Sequence, residues 1–152
     1  MMTILMTILI TIGSQTFTAE IEDTPTGRDF VAMLPLTIEM EELNGNEKYA
    51  YGYSMTRNDS YFSSLLAGDL MLYSGNCVVL FYGNAGGYSY TRIGRINNTQ
   101  GLAAAVGSGD VTVTFSVATT DLQSATSSRQ ATKRMVDGKV MVGDYTVDGK
   151  KL

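Results

Sequence analysis

Two arginines and a run of tyrosines hold most of the chemistry this chain offers. Arg92 and Arg95 lie in "YSYTRIGRI" (88–96), among apolar neighbours. A buried guanidinium needs a partner, and one lining a hollow would suit a carboxylate or another planar anion. In a strand their odd spacing sends them to opposite faces, so at most one can line a concave surface. The plainer alternative is that each is a surface arginine paired with an acid. Tyr73, Phe81, Tyr82, Tyr88 and Tyr90 cluster along the same stretch. Aromatic faces can line a ligand groove while hydroxyls orient the ligand, although the same residues also serve ordinary sheet packing. Glu47 follows a turn and could meet an arginine. With no second carboxylate beside it, it makes no acid–base pair.

Other chemistries are excluded or unsupported. The chain has no histidine, which removes Ser-His-Asp and Cys-His nucleophile pairs and the commonest zinc ligand. No loop spaces acidic ligands for calcium. The single cysteine, Cys77, begins an apolar strand and reads as a small buried hydrophobe. "GNAGG" (83–87) follows a strand but opens no helix, so it lacks the context of a phosphate loop. No cofactor and no metal are expected, and no residue is assigned a catalytic role. The net charge is −4, with −7 over residues 1–128 and +3 over 129–152. An acidic body argues against nucleic acid as its partner.

The elements that must position these residues are strands. In "MMTILMTILITI" Met6, Ile8, Ile10 and Ile12 alternate with Thr7, Leu9 and Thr11, the period of a strand. The segment is too short to span a bilayer, and no membrane insertion is expected. "QTFTAEIE" follows the Gly13-Ser14 turn and alternates Phe17, Ala19 and Ile21 with polar residues, completing a hairpin. Thr24 can cap a helix with Pro25 at its first position, ending before Pro35. "LTIEMEEL", then "EKYAYGYSM" with Tyr49, Tyr51 and Tyr53 on one side, read as further strands. Residues 54–66 carry no clear period. Strands at about 69–74, 77–82 and 89–96 follow. The first two are apolar on both faces, so both faces should be covered. "NNTQGLAAAVG" predicts a short helix capped by Asn98 or Thr99 and ended by Gly107. "GDVTVTFSV" closes the set. The fold class is mainly β: a closed antiparallel eight-stranded barrel with two short helices over residues 1–118. A small polar linker (119–132) and a hairpin-like basic tail (133–152) come after it.

"PTGRDFVAMLPLTIEMEE", "NEKYAY" and "AGDLMLY…VVLFYG…YSYTRIGRI" together resemble the bacterial cyclophilin-like domain family over about residues 6–118. The resemblance implies the cyclophilin barrel but brings no firmly established activity. The Phe-His-Arg and Gln-Gly-Gly-Asp patterns of true cyclophilins are missing. "GDYTVDGKKL" resembles C-terminal segments of exported Bacteroidetes proteins, so both a cytoplasmic and an exported setting stay open, as does the oligomeric state. The reading is a non-catalytic module binding a small molecule or peptide segment through Arg92, Arg95, Tyr82, Phe81, Tyr73, Tyr90 and Glu47. The alternatives are a weak peptidyl-prolyl isomerase, in which an arginine polarises the prolyl nitrogen, and an exported interaction domain whose tail adds strands to a partner.

Overall fold

The Gly13-Ser14 turn joins β1 (Ile4–Ile12) to β2 (Gln15–Glu22) in a long hairpin. This computed structural model describes residues 3–118; the linker and tail expected at 119–152 lie outside the described residues. Helix α1 (Pro25–Ala32) follows, then β3 (Leu36–Leu43), β4 (Glu47–Tyr51), β5 (Ser60–Phe62), β6 (Asp69–Tyr73), β7 (Cys77–Phe81) and β8 (Tyr88–Ile96). Helix α2 (Leu102–Val106) and β9 (Val111–Val117) complete the order. Eight strands form an antiparallel ring, β2-β1-β9-β3-β4-β7-β6-β8, closed by pairing of β8 with β2. The expected eight-stranded barrel with two helices is present. The unread segment 54–66 holds the short ninth strand, β5, paired to the outer end of β8.

The alternating runs set which side faces in. Ile8, Ile10 and Ile12 of β1, Phe17, Ala19 and Ile21 of β2, and Val113 and Phe115 of β9 fill the interior with Leu70, Leu72, Val78 and Leu80. The helices cover opposite ends, since α1 links the end of β2 to the start of β3 and α2 links the end of β8 to the start of β9. Thr24 caps α1 as expected, its hydroxyl accepting the Gly27 N–H at 3.0 Å. Phe30 then reaches the core edge-on to Phe115, with ring centroids 5.3 Å apart. The capping expected for α2 is different. Asn98 Oδ1 accepts the Gln100 N–H one turn early, and Gly101, at φ 84°, holds the cap position with no side-chain bond.

Barrel closure requires a bare backbone at Gly94. A Cβ there would lie 2.2 Å from the Glu20 carbonyl oxygen and 3.0 Å from Ile21 Cα, so any side chain would force β8 away from β2. At the β6–β7 turn Ser74 and Gly75 take φ of 55° and 77°. This lets Tyr73 and Cys77 pair directly across the hairpin.

The doubly apolar β6 and β7 are covered on both faces, as expected. Their outward residues Met71, Cys77, Val79 and Phe81 form a second buried cluster with Leu65 and Tyr90. The chain around Leu65 crosses over it and bonds to the glycine-rich loop. The Leu65 N–H meets the Ala85 carbonyl at 2.8 Å, and the Ala85 N–H meets the Leu65 carbonyl at 2.9 Å.

Candidate functional site

A cavity of about 740 Å³ opens on this outer face of the barrel wall. Strand alternation builds it. In β4, Lys48 and Ala50 point inward while Glu47, Tyr49 and Tyr51 line the cavity; in β6 and β8, Tyr73, Tyr88 and Tyr90 join them. Those last three form a mutual cluster, with centroids 5.7 Å (73–88), 5.9 Å (73–90) and 5.7 Å (88–90) apart. The β3–β4 turn, carrying Asn46, forms one rim, and Ala85 and Gly86 form the other.

One acid lining this cavity, Glu47, has no partner among the described residues. Glu47 is only 7% exposed. Its carboxylate enters none of the hydrogen bonds or ion pairs formed by other acids nearby, such as Glu41, Glu42 and Asp69. Burial pushes its pKa above the usual carboxylate range, and the charge of Glu42 adds to this. Asn46 donates through Nδ2 to the Asn84 carbonyl at 3.3 Å, but its buried Oδ1 accepts from nothing. The neighbouring hydroxyl responds to the same field: Tyr90 is pushed up to about 12, by burial first and then by the charge of Glu47. Cys77 is pushed up to about 11, mainly by burial, so its thiol stays protonated at neutral pH.

The arginines lie elsewhere and not on opposite faces. β6 and β8 slip by one residue here: Leu70 pairs with Gly94 but Met71 pairs with Arg92, leaving Ile93 as the extra residue of a bulge. A bulge resets the two-residue period, so Arg92 and Arg95 turn to the same carboxylate. Arg92 Nη1 is 3.2 Å and Arg95 Nη2 3.6 Å from Asp69 Oδ1. Arg92 Nε also lies 3.6 Å from Glu22, and its guanidinium sits 5.2 Å from the Phe62 ring centroid. Burial raises the pKa of Glu22, with Arg92 and then Arg95 opposing the shift. Asp69 Oδ2 accepts the Leu66 N–H at 2.9 Å. Arg92 borders a separate hollow of about 360 Å³, walled in part by Glu22, Thr26, Phe62 and the far side of Tyr90.

The structure therefore brings Glu47, Tyr73 and Tyr90 around one cavity. Phe81 stands behind them, edge-on to Tyr90 at 5.7 Å. Glu47 meets no arginine among the described residues. Tyr82 alternates away from Phe81 and donates its hydroxyl to Glu42 Oε1 at 2.7 Å, with Lys48 Nζ 5.3 Å from its ring centroid. Sequence reasoning missed Asn46, Tyr49 and Tyr51 as site residues, although the alternation of Glu47, Tyr49 and Tyr51 was the available signal. Tyr53 does not continue that row. β4 ends at Tyr51, Gly52 turns at φ 106°, and Tyr53 packs against the barrel core.

None of the curated proteins matches this chain. It is similar to the solution structure of the hypothetical protein AF2241 from Archaeoglobus fulgidus, at 20% identity and a TM-score of 0.49, over 76% of this chain and 97% of that one. The model of the cyclophilin-like family matches residues 10–116, from the last three residues of β1 to the penultimate residue of β9. That span takes in nearly the whole ring and the wall that bears the cavity, and on it the chain belongs to the cyclophilin-like family.

Proposed function

We propose that this chain is a non-catalytic binding module that holds a small molecule or a peptide side chain on the outer face of its barrel, over β4, β6, β7 and β8. The observation that carries this reading is a concave aromatic cavity with a few convergent polar groups, of a volume usual for ligand sites. Tyr73, Tyr88 and Tyr90 supply the apolar body, and Glu47 supplies the orienting polar group in place of the arginines. Prolyl isomerisation through Arg92 or Arg95 is favoured less, because each guanidinium already faces the Asp69 carboxylate, at 3.2 and 3.6 Å. The strand-adding reading rests on the tail, outside the described residues.

Chemical-shift mapping by NMR with a mixed fragment and short-peptide library tests the reading. Perturbations are expected to gather on Tyr49, Tyr73, Ala85, Tyr88 and Tyr90. Perturbations confined to the barrel ends or to the hollow beside Arg92 would overturn it.

A further inference from the structure

The character of the unpartnered acid in this cavity narrows what it can hold. The Glu47 carboxylate, on a residue only 7% exposed, lines the cavity as a hydrogen-bond acceptor with no partner among the described residues. A ligand that pairs with it must bring a donor, because a largely buried carboxylate without a partner costs free energy. The field in the cavity is negative. The titratable groups that act on Glu47 or respond to it are Glu42 from β3, Cys77 from β7 and Tyr90 from β8. No described lysine or arginine lines the cavity. Lys48, next along β4, points into the barrel and is fully buried there. The walls present tyrosine rings, whose faces attract cations. The other described acid of comparable burial, Asp69, is paired with two arginines. Glu47 is the exception.

From this we infer that the cavity binds an N–H-bearing organic cation, a protonated primary or secondary amine on an apolar stem, with its ammonium against Glu47 and its stem against Tyr73, Tyr88 and Tyr90. A quaternary ammonium fits less well, since it has no N–H to donate to Glu47. An anion is disfavoured by Glu47 itself. The inference rests on the binding reading above and adds the charge of the ligand to it.

A matched series separates the two. 4-Phenylbutylammonium, 4-phenylbutanol and 4-phenylbutyrate share one stem and differ in head group. By calorimetry and NMR at pH 7 and moderate salt, the ammonium is expected to bind about tenfold or more tightly than the alcohol, and the carboxylate least. Glu47→Gln should remove most of the ammonium's advantage and leave the alcohol nearly unchanged. Because burial raises the folded pKa of Glu47, the stability gained from its proton is complete below the ordinary carboxylate pKa and lost as pH rises through the raised one. Glu47→Gln should therefore raise the melting temperature of the empty protein at pH 7 while weakening amine binding, a pairing that a purely structural glutamate would not give. If all three probes bind alike, or the carboxylate binds best, the cation inference fails and the binding reading stands. If none perturbs the cavity, both fail. The comparison of probes on the unaltered protein decides the matter even if the variant does not fold.

Discussion

Lys48→Ala will lower the free energy of unfolding by about 3–5 kcal/mol, the range for stripping one partner from a buried charge network. Lys48 is wholly inside the barrel. Its ammonium donates to the Gly107 carbonyl at 2.9 Å and the Gly109 carbonyl at 2.5 Å, and pairs with Glu42 Oε1 at 2.9 Å. It thus ties the C-terminal turn of α2 to β3 and β4. Alanine leaves two carbonyls and a carboxylate without their donor, and removes an aliphatic stem from a packed interior. Glu42 is held below the usual carboxylate range chiefly by the Tyr82 hydroxyl, with Lys48 and the Gly45 amide helping. That anchor keeps Glu42 charged after Lys48 is gone. Urea denaturation measures the loss. Lys48→Met, which keeps the stem, should cost about half as much, and hydrogen exchange should accelerate first around α2.

The second large effect is expected at Asp69. Its side chain is 2% exposed and gathers Arg92, Arg95 and the Leu66 N–H. Asp69→Ala strands two guanidinium groups and frees the turn that starts β6. The cost is about 3 kcal/mol, the lower end of the buried-pair range, because Arg92 and Arg95 are 21% and 42% exposed and can turn to water. A double-mutant cycle with Arg92→Met isolates the pair. A coupling indistinguishable from zero would show that Asp69 matters through Arg95 and Leu66 and not through Arg92.

Much of the architecture was legible because one face of nearly every strand is buried. Ile8-Ile10-Ile12, Phe17-Ala19-Ile21 and Ile38-Met40 alternate with polar residues, and burial against a single core enforces that period. The features that escaped reading are those in which tertiary pairing overrides local pattern. The bulge at Ile93 turns two residues of odd spacing toward one acid, and nothing in "TRIGRI" marks it apart from the glycine that lets β8 approach β2. Lys48 occupies a core position because the turn after α2 brings the Gly107 and Gly109 carbonyls to meet it, a contact from some sixty residues away. β5 has only three residues and exists through its pairing with β8.

The site was partly legible for the same reason. Glu47, Tyr73 and Tyr90 were identifiable by residue type, but their convergence depends on β4 reaching β8 across β7 and β6, an order the sequence does not display. The arginines drew attention as the strongest charges in the stretch. Their charge is already answered by Asp69 and Glu22, while that of Glu47 is not.

The most direct test of this account is the titration of the Glu47 side-chain carboxyl by carbon-detected NMR, alone and with saturating 4-phenylbutylammonium. The account predicts a midpoint above the usual carboxylate range in the empty protein and a fall on adding the amine. A midpoint at or below that range in the empty protein, unmoved by the amine, would mean that Glu47 is already compensated and that the cavity has no claim on a cation.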